Sequence, residues 1–174
     1  MIELLRARRS IRKYTNEKIS TRIIDIIKES ALRSPTSRNY KPCEFIFVDN
    51  KKLLKKISLC KKHGSHFCKN SILSVVICAN QNKSDLWIED CSIASILIQM
   101  TAQSLGLGSC WIQIRKRMHN SEITSEEYLL QLLDIPEHIK IESIIAMGYP
   151  DEYKNWILKD ELDYSKIKKN NYDG

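Results

Sequence analysis

Apolar positions along the chain fall into two patterns, helical spacing and short unbroken runs. After Ser20, residues Ile23, Ile24, Ile26, Ile27 and Ala31 recur at a 3.6-residue period, which predicts an amphipathic helix capped by that serine. It ends near Ser34, because the residue before Pro35 avoids the helical region. Leu53, Leu54, Ile57 and Cys60 share one face of a lysine-rich stretch and predict a helix over 50–62. Residues 86–105 form the most apolar helix: Ile93, Ala94, Ile96, Leu97, Ile98, Met100, Ala102 and Leu105 leave little polar face. Such a helix is buried on most sides, and Gly106 is its natural C-cap. Thr124 and Glu127 make a capping box for a short helix reaching Leu133, and Glu3–Arg9 starts another.

The unbroken runs predict strands at Cys43–Val48, Ile72–Ala79, Ser109–Ile114 and Ile141–Met147, the last stopped by Gly148-Tyr149-Pro150. Ile72–Ala79 is apolar nearly throughout, as a strand at the centre of a sheet must be. Helices alternating with about four strands predict a sheet covered by helices on both faces. No linker divides the chain, so residues 1–174 are read as a single domain. From Asp151 onward the chain is charged and weakly apolar, and orders only by docking on something.

Composition narrows the class. At 43% hydrophobic and 28% charged, the chain is of soluble globular type, and no apolar run approaches the ~20 residues of a membrane span. The N-terminus lacks the long apolar region of a signal peptide, so a cytoplasmic location is expected. The net charge of +7 is uneven: residues 1–22 carry seven Lys/Arg against Glu3 and Glu17, and residues 51–69 carry seven Lys and no acid. No nucleic-acid motif accompanies this charge, so the lysine run reads as a solvated helix face and nucleic acid is not an expected partner. Six cysteines contain no C-x-x-C pair, and several lie in apolar segments, which fits reduced, core-forming thiols better than a zinc site or disulfide scaffold. His63, His66, His119 and His138 complete no ligand pattern and are read as surface residues, so no metal is expected. Asp90 is read as serving the N-terminal dipole of the long helix.

Two segments carry candidate chemistry. Arg8-Arg9-Ser10-Ile11-Arg12-Lys13-Tyr14 sets four cations and a hydroxyl together, and forked guanidinium donors suit phosphate oxygens. Ser34-Pro35-Thr36-Ser37-Arg38-Asn39-Tyr40-Lys41-Pro42 is a polar loop whose small donors suit a polyol or phosphate. There is no Gly-rich dinucleotide loop, Walker lysine loop or nucleophile elbow, and no side-chain nucleophile stands out.

In this order, the two segments resemble the FMN-dependent nitroreductase family, which opens with R-R-S-x-R-x-[FY] and continues with a Pro-Ser/Thr-Ser-x-Asn-x-Gln-Pro-Trp loop and a strand. Trp87-Ile88-Glu89-Asp90-Cys91, Leu105-Gly106-Leu107-Gly108-Ser109-Cys110-Trp111-Ile112 and Ile145-Ala146-Met147-Gly148-Tyr149-Pro150-Asp151-Glu152 extend the likeness to short members of the family. The chain departs from the pattern at Lys41 and Cys43, in place of Gln and Trp, and at Lys69-Asn70-Ser71, in place of a Lys-Ala-Pro-like run.

The resemblance implies an α+β fold of three α/β/α layers, with a mixed, mainly antiparallel sheet of four to five strands. It implies a homodimer with FMN at the subunit interface and a C-terminal tail wrapping the partner. By motif position Arg8, Arg9, Ser10 and Arg12 hold the FMN phosphate, ribityl chain and pyrimidine end, with Arg12 at the N1/O2 edge. Pro35, Thr36, Ser37 and Asn39 approach the same flavin from the other subunit. Trp111, Ile112 and Gln113 line one flavin face, largely by backbone, with a main-chain N–H near Gln113 meeting N5. Lys154 adds a phosphate-binding cation. The implied activity is hydride transfer from NAD(P)H to FMN, then reduction of a nitroaromatic, quinone or similar electron-poor molecule. The alternative is a flavin carrier or sensor with little turnover.

Overall fold

The computed structural model describes residues 1–172. Its elements are α1 (Ile2–Ala7), α2 (Thr21–Leu32), β1 (Cys43–Val48), α3 (Lys51–Ile57), β2 (Leu73–Asn80), α4 (Trp87–Ser104), β3 (Gly108–Gln113), α5 (Ser125–Leu132) and β4 (Ile139–Gly148). Local signals set the boundaries. The Ser20 hydroxyl accepts the Ile23 N–H at the start of α2, and Asn50 accepts those of Lys52 and Leu53 at α3. The Thr124/Glu127 capping box starts α5. After α4, Gly106 takes a left-handed φ of 78°, as a helix-terminating glycine does. The lysine-rich helix is shorter than its pattern predicts: it stops at Ile57, and a turn brings Cys60 back into the core.

The strand order is β1-β2-β4-β3, and every neighbouring pair is antiparallel. The expectation of a mixed sheet is thereby narrowed: the parallel contribution is an isolated bridge, Ser10 to Ser109. β2 lies inside the sheet and is buried from Leu73 to Ala79, which explains its unbroken apolar run. Strand alternation sends Val75, Ile77, Ile145 and Met147 to one face, against Ile27, Ala31, Ile98 and Ala102 of α2 and α4. Val76, Cys78, Ile144 and Ala146 meet Leu54, Ile57 and Leu129 of α3 and α5 on the other. Three layers result.

One irregularity breaks this alternation. Ile77 is opposite Ser143 but Cys78 is opposite Ile141, so Glu142 is an extra residue in β4. The bulge turns Glu142 toward the α4 side while Ile141 and Ile139 stay with the other cluster. On α4, Ile93 and Ile96 remain about 40% exposed (39% and 41%), an apolar stripe on an otherwise buried helix. After Glu152 the chain is exposed apart from Lys154, with short 3-10 turns at Lys159–Glu161 and Tyr164–Lys166. No helix among the described residues is long and apolar enough to cross a membrane, and no group of His, Cys, Asp and Glu could hold a metal ion.

Candidate cofactor site

Residues 8–14 leave α1 in extended form and are laid along the ends of β3 and β4. Ile11 donates its N–H to Ser109 O at 3.0 Å, Thr15 to Tyr149 O at 2.9 Å, and Asp151 returns one to Lys13 O at 2.9 Å. Two glycines allow this approach. A Cβ on Gly108 would lie 2.8 Å from the Ile11 side chain, and one on Gly148 would lie 3.0 Å from Tyr14 Cβ. Tyr14 is buried, with its hydroxyl shared between Ile11 O (2.6 Å) and Ala146 O (3.1 Å). Burial pushes its pKa up, so it stays a phenol donor.

This fixed segment presents the cations. The Arg9 guanidinium donates to Asn155 O, and Lys154 Nζ donates to Ser10 O. The structure therefore brings Lys154 to Ser10. Glu152, which the sequence did not single out, accepts the N–H groups of Arg12 (2.5 Å) and Lys13 (3.2 Å) and lies 3.6 Å from Lys154 Nζ. Those bonds hold its carboxyl below the usual range. The Arg12 guanidinium is 5.7 Å from the centre of the Phe67 ring, a second partner that pattern reading missed. Among the described residues, Arg8, Arg9 and Arg12 have no ion pair. A cleft of about 220 Å³ opens here, with Arg9, Ile11, Gly108, Glu152 and Lys154 among its walls.

β3 is the edge strand beside this segment. Because Ser109 O points outward to Ile11, antiparallel alternation points the N–H and C=O of Trp111 and Gln113 outward too. The two N–H groups are edge donors without a backbone partner among the described residues, whereas the Trp111 carbonyl accepts from Cys110 Sγ at 3.5 Å. Ile112 has the opposite parity, and its side chain is buried against the α3/α5 layer, so it contributes packing. The Trp111 indole N–H donates to Gln113 Oε1 at 2.9 Å, and Gln113 Nε2 reaches Glu142 Oε1 at 3.3 Å. Glu142 is 5% exposed and its other oxygen has no partner in the chain. Burial raises its pKa, against the lowering effects of Gln113 and Arg115. No periodicity marks this carboxyl, because it stands on the bulge.

The loop of the second motif is elsewhere. Thr36 is extended, Ser37–Asn39 form a 3-10 turn, and Arg38, Asn39 and Lys41 take left-handed φ values of 50°, 57° and 48°. Pro35 is exposed, while Thr36 Oγ1 accepts the Lys41 N–H at 3.0 Å. Asp90 is buried, and its Oδ1 accepts the Ser37 N–H at 2.8 Å. Asp90 stands in the first turn of α4, the position expected of a residue that serves the helix dipole, and it also tethers this loop to that turn. The Arg8–Arg12 segment sits at the other end of α4, where Gln103 shares the cleft with Arg9. At about 1.5 Å per residue, Asp90 and Gln103 are roughly 20 Å apart along the helix. A single chain does not bring the two motifs together.

A family model described as Putative TM nitroreductase matches residues 1–173. A protein of Archaeoglobus fulgidus, described as a Putative NADH dehydrogenase/NAD(P)H nitroreductase, is 33% identical over 164 residues, covering 92% of this chain and 91% of its own. The solved structure of an FMN-dependent nitroreductase from Clostridium difficile R20291 is 44% identical, with a TM-score of 0.97 over 98% of this chain and 99% of that one. An FMN reductase (NAD(P)H) of Bacillus subtilis is 26% identical over 171 residues, covering 86% of this chain and 66% of its own. The chain belongs to this nitroreductase family of oxidoreductases.

Proposed function

We propose that two copies of this chain build two flavin sites and reduce small electron-poor acceptors such as nitroaromatics or quinones. The protein is an NAD(P)H-dependent oxidoreductase whose cofactor is FMN. The observation that carries the site assignment is the segment 8–12, pinned by backbone to the sheet edge, with three guanidiniums lacking ion pairs beside the free N–H groups of Trp111 and Gln113. That donor set fits the group: forked cations for a phosphate dianion and for the pyrimidine edge, and edge amides for the ring. Bound FMN would supply two-electron chemistry, accepting hydride from the nicotinamide and delivering it to the acceptor.

The chain's own residues bind and orient. Arg8, Arg9, Ser10 and Lys154 hold the phosphate and ribityl end, while Arg12, braced on Phe67, supplies positive charge at the pyrimidine edge. Charge there favours the reduced, anionic ring. The edge N–H of Gln113 is offered to N5, and the Trp111–Gln113–Glu142 chain fixes the strand end that carries it. Pro35, Thr36, Ser37 and Asn39 complete the site from the partner, a reading that the separation along α4 supports. The exposed Ile93 and Ile96 stripe and the tail supply apolar surface for that association. A cavity of about 450 Å³ between Ile2 and Leu5 of α1 and Trp156, Leu158, Leu162 and Tyr164 of the tail is the surface a second chain would cover.

The test is a visible spectrum of the purified protein with anaerobic NADH or NADPH added, with Arg8→Ala and Arg12→Ala alongside. The wild type shows a flavin spectrum that bleaches with one or both donors. Each substitution weakens FMN binding about tenfold or more, the loss of about one charge-assisted hydrogen bond. Unchanged FMN affinity in both variants would refute the clamp assignment.

A further inference from the structure

Cys43 and Cys91 lie with their sulfurs 3.7 Å apart, although they are far apart in sequence. Cys43 is partly exposed at the first position of β1, immediately after the 35–42 loop. Cys91 is fully buried in α4, next to Asp90, the residue that tethers Ser37. Its Sγ also points at Cys78 O, at 3.6 Å. The family pattern named above has a tryptophan where this chain has Cys43.

We propose that Cys43 and Cys91 are a reversible two-electron redox pair, oxidised by hydroperoxides to a disulfide that staples the exit of the 35–42 loop to the first turn of α4. The chemistry follows from access. The Cys43 thiolate attacks the peroxide O–O bond, forming Cys43–SOH and releasing hydroxide from hydrogen peroxide. The Cys91 sulfur then attacks the Cys43 sulfur, loses its proton, and expels hydroxide, which leaves as water. Two thiols and one peroxide give one disulfide and two waters. Disulfide formation closes the 3.7 Å between the two sulfurs to ~2.05 Å. The hydrogen bond with the Cys43 sulfur and burial hold the Cys91 thiol protonated, so Cys43, the more exposed sulfur, is oxidised first and Cys91 is the one that resolves. Cys60 and Cys78, pushed up to about 12 by burial, are unreactive bystanders.

The reaction needs no flavin, so its outcome is independent of the cofactor assignment. The full-length protein is treated with stoichiometric hydrogen peroxide, denatured under acid quench, and its free thiols are counted and its peptides mapped by mass spectrometry. The expected result is a loss of 2 Da and two thiols, a Cys43–Cys91 cross-linked peptide, and full reversal by dithiothreitol. Cys43→Ser abolishes the change. Cys91→Ser leaves a Cys43 sulfenic acid that dimedone captures. Six remaining thiols in the peroxide-treated wild type overturn the proposal, as does a cross-link between any other pair; both readings hold even where a variant fails to fold.

Discussion

Replacing Gly108 by Ala tests how the cationic segment is placed. The added Cβ would meet Ile11 Cβ and Cγ2 at 2.8 Å and Cγ1 at 2.9 Å. Carbon atoms settle near 3.5–4.0 Å, so the two segments must part by roughly 1 Å. Ile11 cannot turn away, because it is buried and its N–H is bonded to Ser109 O. Overpacking of this kind costs about 1–3 kcal/mol, which lowers the unfolding midpoint of a 174-residue domain by roughly 2–12 °C. The same retreat carries Arg9, Ser10 and Arg12 with it. Losing one charge-assisted bond to FMN costs about 1.5–3 kcal/mol, or roughly ten- to hundredfold in Kd. Gly106→Ala is the contrast: nothing lies within 4 Å of its Cβ, but φ is 78°. That substitution costs about 1–2 kcal/mol of backbone strain and, although Gly106 also borders the cleft, moves the FMN Kd less than Gly108→Ala because nothing is displaced. Thermal unfolding and quenching of FMN fluorescence read the two quantities separately. A Gly108→Ala protein with wild-type midpoint and Kd would refute the reasoning, as would equal loss of FMN affinity in both variants.

Glu142→Gln should stabilise the protein increasingly as pH rises. The folded-state pKa of Glu142 is raised by burial, so between the unfolded and folded values the native state binds the extra proton and wild-type stability falls as pH rises. The variant lacks that fall: unfolding midpoints coincide near pH 4 and diverge toward pH 8, and a constant gap would contradict the assignment. Asp90→Ala removes a buried charged hydrogen bond worth about 1.5–3 kcal/mol to the 35–39 loop. Amide exchange at Ser37 should accelerate at least tenfold, with Asp90→Asn intermediate; unchanged exchange would show that the loop is held by other contacts.

Most elements were legible because their signals are local. Ser20, Gly106 and the Thr124/Glu127 box act within a few residues of the boundary they set. β2 declared its central position by being apolar on both faces. The first motif was legible as a cluster of cations, and the structure adds what holds it: two glycine contacts and backbone bonds to strands a hundred residues away. Glu142 was illegible because a bulge is a mismatch between two strands, and one strand's sequence does not contain it. The dipole position of Asp90 was legible, but its second role was not, because its partner, Ser37, lies across the fold. The end of α3 was overrun because Cys60 continues the helical spacing while the backbone has already turned.

Where a cofactor carries the chemistry, the protein's part is to hold it. A protein that holds a reactive cofactor needs donors at fixed positions, and backbone supplies these more rigidly than side chains. Here the edge amides of Trp111 and Gln113 owe their outward direction to the parity set by the bond from Ile11 to Ser109. The cations of residues 8–12 owe their position to that same bond and to Gly108. One contact therefore sets both the edge amides and the cations to which the proposal gives the ring and the phosphate. The 35–42 loop is positioned independently, by Asp90 at the far end of α4. The rigid length of α4 then fixes how far apart a chain's two half-sites stand. In the two-fold dimer proposed above each half-site would meet its complement from the other chain, and the helix that buries the core would also set the spacing of the two sites.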